Sequence, residues 1–293
     1  MSTKAVSVEA VFAGQRFFKR GAAMLLVACI TIGIIVAMVL IALFADVIAP
    51  YSATETALRS RLLPPFSPGH ILGTDQLGRD TLSRLIHGAR VSLSVAALSI
   101  VIGGGVGTIL GILAGYFGKA VDAFIMRLAD VMIGFPLLIL AILFAAVFGP
   151  SFTNVVVILV LVMWAKFARI ARGETLSLKE KDFVSAARVA GASPLQIIWQ
   201  HIAPHLLNSV LIMASLQAAW AVILEASLSF LGAGVPPPEP TWGGMISAGR
   251  EYVTTAWWLA LFPGIAITLL VLSLNLLGDW LRDHLDPRLR QAG

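Results

Sequence analysis

The chain has 293 residues, of which 58% are hydrophobic and only 13% charged, and it carries a net charge of +5 with a mean hydropathy of +0.89. Soluble domains hold about a quarter of their residues as charges, so this composition excludes one and marks an integral membrane protein. Its basic excess then reports orientation rather than nucleic-acid binding. A single cysteine, Cys29, excludes a disulfide framework and a cysteine-based metal site within the chain.

Residues 1–23 are polar, end near Arg16, Lys19 and Arg20, and read as a cytoplasmic tail. The apolar run that follows, taken as a first span over 24–45, is too long for a signal-peptide core of about 7–15 residues. Further apolar runs cover 91–116, 124–148, 155–170, 206–231 and 257–277, which makes six spans and puts both termini on one side. Of the 21 Lys and Arg residues, fifteen fall on the side of the termini and six on the other. The positive-inside rule therefore predicts cytoplasmic termini and a cytoplasmic loop over 173–205.

Residues 46–90 are expected to be extracytoplasmic. Within them Leu82, Leu85, Ile86 and Ala89 keep helical spacing behind a cap at Asp80, predicting an amphipathic helix at the membrane surface that feeds span two. Asp75 and Asp80 do not have the spacing of a calcium loop. In span two, Gly103, Gly107, Gly111 and Gly115 share one face and predict close helix packing. Span three carries Arg127 and Asp130, three apart and able to pair, then Pro136 as a kink. Span four ends in Lys166, Arg169 and Arg172, placed to snorkel to the inner interface rather than to bind anything in the core.

Residues 182–205 predict two short amphipathic helices around a glycine corner. Phe183, Ala186, Ala187 and Ala190 form one apolar stripe, with Ser185 and Arg188 looking elsewhere. Gly191 ends that helix, and Ser193 with Pro194 caps the next. There Leu195, Ile198, Trp199 and Ile202 form the stripe, and Pro204 is expected to close the helix. Span five holds Glu225, a carboxylate that must face protein or water, or be protonated. It either lines a path through the membrane or bonds neighbouring helices. A proline-rich turn and Trp-Gly-Gly over 235–245 follow, and Trp257 and Trp258 read as an interfacial belt for span six.

Three stretches carry a family resemblance. Ala186, Ala187, Gly191 and Pro204 fall in the register of the cytoplasmic EAA loop of binding-protein-dependent ABC importer permeases, with Ser185 in place of its glutamate and Ala203 in place of a leucine. Residues 73–93, GTDQLGRDTLSRLIHGARVSL, resemble the signature of C-type subunits of dipeptide, oligopeptide and nickel importers. Residues 275–290 resemble the same subunits, with Trp280 where a small residue is commoner. The likeness runs from about residue 24 to 290. It implies an all-α integral membrane fold of six transmembrane helices with type I ABC importer permease architecture, in the cell inner membrane among lipid.

The resemblance further implies a permease that forms half of a peptide translocation path. Its partners would be a B-type permease subunit, two ABC ATPase subunits and an extracytoplasmic peptide-binding protein, with no nucleic acid. ATP and Mg would sit on the partner ATPases and no cofactor on this chain. Phe183, Ser185, Ala186, Ala187, Gly191 and Pro204 would make the ATPase coupling surface, and Glu225 is the candidate for the path. Dipeptides, longer peptides, glutathione-like peptides and nickel complexes are carried by relatives of this type.

The chain contains no P-loop, no His-Glu zinc motif and no Gly-x-Ser-x-Gly elbow, so no ATP hydrolysis or other enzyme chemistry is expected of it. Of His70, His87, His201, His205 and His284, only His201 and His205 have metal-pair spacing, and Pro204 between them favours a structural or coupling role. The competing class is an ion- or proton-coupled secondary transporter that uses Glu225 and needs no ATPase. It predicts paired broken helices in two repeats, of which the sequence offers one weak candidate.

Overall fold

A backbone that crosses a bilayer must satisfy its own hydrogen bonds, which a helix does within one segment, and the apolar runs fold accordingly. The computed structural model describes residues 25–285. The tail predicted over 1–23 and the end of the 275–290 stretch lie outside them. The helices are α1 (Leu25–Leu43), α2 (Ala45–Ile48), α3 (Thr81–Phe117), α4 (Lys119–Gly134), α5 (Leu137–Phe148), α6 (Phe152–Leu178), α7 (Asp182–Val189), α8 (Pro194–Gln196), α9 (Ala203–Phe230), α10 (Trp242–Gly249) and α11 (Trp258–Leu285). Among the described residues there are only two isolated β-bridges and no strand. Five helices are long and apolar enough to cross a membrane, and α4 with α5, bent by 85° at Phe135–Pro136, completes six when counted as one broken crossing. That bend is the kink predicted at Pro136, far sharper than a flexed helix.

The bundle is built around α3 on α6. Gly103, Gly107, Gly111 and Gly115 line up against Met163, Trp164, Ala168 and Thr175, so the two helices run parallel with their backbones in contact. A β-carbon on Gly107 would fall inside the Trp164 carbonyl, and one on Gly111 inside the Ala168 carbonyl. The seam continues into a core of Val95, Val155, Ile158, Leu159 and Met163, closed by Val222 and Leu228 of α9 and Leu270 of α11.

The arginines expected at the inner interface also join two helices. Arg172 binds Asp122 of α4 through two nitrogens, and Arg169 Nη2 lies 2.5 Å from Asp130 Oδ1. Asp130 therefore pairs across to α6 and not with Arg127. The reason is geometric: α4 lies along α6, and a neighbouring guanidinium reaches the carboxylate more directly than one on the same helix.

At the other end, residues 45–80 form a folded cap. Asp80 accepts from Ser83 N and Oγ, both at 2.8 Å, as the predicted N-cap of α3, and also from His70. Asp75 binds Arg79 Nε at 2.6 Å, and both side chains are buried together with Arg84. Arg90 closes the end of α1 by donating to Ala42 O at 2.9 Å and pairs with Asp46, holding that carboxyl below the ordinary range. The first turns of α3 are continuous with the span in one helix of 37 residues, about 55 Å long at 1.5 Å per residue. They are not a one-sided surface helix, because the cap covers their polar side and buries Thr81, Ser83 and Arg84. Trp258 belongs to this cap rather than to an exposed belt: it is buried and its Nε1–H donates to Thr74 O at 3.2 Å, while Trp257 stays exposed.

Replacing Gly107 with alanine should lower the melting temperature in detergent, by an overpacking cost of about 1–3 kcal/mol. Gly105, whose β-carbon would meet nothing within 4 Å, is the control: Gly105→Ala should leave Tm unchanged or slightly raised.

Candidate functional site

At the end of the bundle away from the cap, α6 gives way to a corner whose every turn follows from local chemistry. Asp182 in the first turn and Arg188 in the last suit the dipole of α7. Gly191 adopts φ +86°, the left-handed conformation that costs glycine nothing, and reverses the chain. Ser193 and Gln196 then form a reciprocal capping box, with Pro194 at the first helical position.

From here the helix does not close at Pro204, contrary to expectation. Residues Ile197–Ile202 form a π-helical stretch, Ala203 N–H reaches back to Ile198 O, and Pro204 sits in the first turn of α9. Proline lacks the donor and crowds the preceding turn, and the widened ladder accommodates it without ending the helix. The extra residue also rearranges the predicted stripe. Ile198 and Ile202 are buried with Ile197, whereas Leu195 is 65% and Trp199 61% exposed.

The packed face of α7 differs from the predicted one as well. Val184 is fully buried in a cluster with Ile112 of α3, Ala171 of α6, Ile197, Ile198, Ile202 and Leu206, with Ala187 half-buried beside it. A valine gains more from burial than the alanines around it, so it takes the inward position. Phe183, Ser185, Ala186 and Ala190 therefore point outward, and Gly191 and Pro204 are exposed. The ring of Phe183 stacks on His205 with centroids 5.1 Å apart and lies 6.4 Å from His201. The two histidines thus frame an aromatic ring, and among the described residues no group of three metal-ligating side chains occurs. Val189, 91% exposed, is like Leu195 and Trp199 an apolar side chain left uncovered on this segment. The sequence reading passed over Val184 and Val189; a stripe drawn through Val184 and Ala187 at i, i+3 would have found the first.

Glu225 lies well away from this corner and is fully buried. Ser92 Oγ of α3 and Ser229 Oγ one turn on each donate to its carboxylate at 2.8 Å. Nearby, Thr241 caps α10 by accepting from Gly244 N, and Trp242 donates from Nε1 to Leu85 O at 3.0 Å. The bond from Ser92 joins α9 to α3.

Comparison with known proteins gives the same outline. Residues 107–291 match the family described as binding-protein-dependent transport system inner membrane component. The chain is 43% identical over 262 residues to the dipeptide transport system permease protein of Escherichia coli K12, covering 88% of this chain and 87% of that protein. It is 41% identical to the di/tripeptide transport system permease protein of Pseudomonas aeruginosa over 87% of this chain and 86% of that one. A glutathione transport system permease protein of Pectobacterium atrosepticum is 42% identical over 86% and 84%. Among solved structures, an inward-facing MetNI methionine ABC transporter chain superposes with a TM-score of 0.55 at 18% identity, covering 70% of this chain and 97% of that one, and so shares the fold.

Two substitutions separate the inner and outer faces of α7. Val184→Asp should lower stability by about 3–5 kcal/mol, the cost of an unpaired buried charge, and Val189→Asp should change it by no more than about 0.5 kcal/mol, both read as Tm in detergent.

Proposed function

The chain belongs to the family of binding-protein-dependent transport system inner membrane components, and from that premise we propose that it forms half of the translocation path of an ATP-driven peptide importer. The observation that carries the coupling role is the outward exposure of the apolar side chains Val189, Leu195 and Trp199 about the Gly191 corner. A soluble corner gains nothing by exposing such residues unless another protein covers them. The occupant is an ATPase subunit on the cytoplasmic side, where both termini also lie, and Phe183, Ser185, Ala186, Ala187 and Gly191 stand on or beside the same outward face.

Force applied there has a defined route. Val184 seats α7 among residues of α3, α6 and the root of α9, so pressure from two closing ATPases moves three spans together, with Pro204 at the junction to α9. ATP and Mg are held by those ATPases. A second, B-type permease supplies the other half of the path, and an extracytoplasmic peptide-binding protein delivers cargo to the cap end. Peptide cargo is supported by the names of the relatives above, and the EAA-like register of Ala186, Ala187 and Gly191 supports the coupling surface. Glu225, enclosed by two serines, holds α9 against α3 beside the path.

Co-purification of the tagged chain tests the coupling surface. Wild type should retain ATPase subunits, and both Val189→Asp and Gly191→Arg should lose them while the Val189→Asp chain keeps its Tm. If no ATPase accompanies wild type and the chain alone carries peptide into liposomes along a proton gradient, the importer reading is wrong and the Glu225-dependent secondary transporter is right.

A further inference from the structure

Among the described residues, a cation well inside α6, Lys166, has no counter-charge. Lys166 lies 14 residues beyond Phe152, the start of α6, and its neighbour Gln217 lies 14 residues beyond Ala203, the start of the antiparallel α9. Each is about 21 Å along its helix at 1.5 Å per residue, at mid-length of both. The ammonium lies against α9: Nζ sits 3.5 Å from the centroid of the Trp220 ring and 3.4 Å from Gln217 Oε1. Arg169 and Arg172 on the same helix have Asp130 and Asp122, but among the described residues no carboxylate pairs with Lys166.

An ammonium carries three donors, and Gln217 accepts one. Met163, Trp164, Ala165 and Phe167 around it in sequence are buried, whereas Lys166, Gln217 and Trp220 are only partly covered. Their patch is therefore open on its outer side. Lipid chains suit that side poorly, because a charged side chain within an apolar span costs up to about 3 kcal/mol even on the mildest scales. What meets it is water or an anion. The cation–π contact holds the ammonium in place, the Gln217 amide adds a neutral donor, and the indole offers apolar surface alongside.

Resting on the importer reading, we propose that the seam between α6 and α9 lines the translocation path and that Lys166, with Gln217 and Trp220, receives the carboxylate of a passing peptide part-way along it. A terminal carboxylate is the one anion every linear peptide carries, which suits a permease whose side-chain selectivity lies elsewhere.

The assembled importer in proteoliposomes, with labelled alanyl-alanine and its binding protein, provides the test. Cys29 is the only cysteine of this chain, so Cys29→Ser with Lys166→Cys leaves one thiol at the site. ATP-driven uptake should fall about tenfold, the factor one charge-assisted hydrogen bond carries, while Lys166→Arg transports near the wild-type rate. Aminoethyl methanethiosulfonate, which rebuilds an ammonium on the thiol, should restore uptake; the sulfonatoethyl reagent should label it without restoring anything, and excess alanyl-alanine should slow both. Wild-type uptake by the Lys166→Cys chain, labelling by a lipid-soluble maleimide but by neither aqueous reagent, or aminoethylation without recovery each overturns the proposal. Should the Lys166→Cys complex fail to assemble, Lys166→Gln replaces it, and uptake equal to wild type then overturns the proposal. Lack of ATP-driven uptake by wild type instead overturns the importer reading beneath it.

Discussion

The contact on which the whole bundle depends is backbone against backbone, where the glycines at 103, 107, 111 and 115 let α3 lie directly on α6. In a membrane no hydrophobic force separates helix from lipid, so association rests on close packing and internal hydrogen bonds. Four missing side chains supply that closeness, and they do so along the two helices that also carry the other decisive contacts. The cap folds on the first turns of α3, and the paired arginines and Lys166 project from α6. α7 plugs into the foot of both. In a subunit organised this way the two central helices are packed backbone to backbone, and the remaining spans are arranged around that pair.

The polar groups inside the spans are sorted by what surrounds them. Arg169 and Arg172 have carboxylates on α4, and Glu225 has two serine hydroxyls. Each is thereby committed to holding one helix on another. Lys166 is left with a ring and an amide, contacts that fix its position but leave its charge unneutralised. The distinction between structural and available charge is thus one of partners and not of depth, since Glu225 and Lys166 both sit within apolar helices.

Much of this was legible in the sequence because membrane folding leaves a strong local imprint. Six apolar runs, a glycine repeat every four residues, the Asp80 cap, the Ser193 cap and the Pro136 bend all follow from one segment read alone. What failed needed a second segment. Asp130 was paired with Arg127 because the two are neighbours in the chain, yet α6 supplied a nearer arginine. The cap over 45–80 was missed because its contacts, such as Trp258 to Thr74, join residues far apart in sequence. The face of α7 was misjudged because four alanine-sized or aromatic positions outnumbered one valine in the stripe, although the valine was the better group to bury. Periodicity proposes a face, and only the docking surface decides which one is used. For the candidate site itself, the two short helices and their glycine corner could be read from the sequence, but not which of their residues face outward.

The π stretch at Ile197–Ile202 sets the azimuth of the corner. An α-helix turns about 100° per residue, and a single residue absorbed into a wider turn offsets everything before it from everything after it by that angle. Leu195 and Trp199 look outward because of this offset, while α9 beyond Pro204 keeps its apolar sides against the bundle. Removing one residue from the stretch would leave every span in place and swing the corner around the axis of α9. A lineage could therefore retune how such a subunit meets its neighbour by one codon gained or lost at a spot where the membrane-embedded part never registers the change.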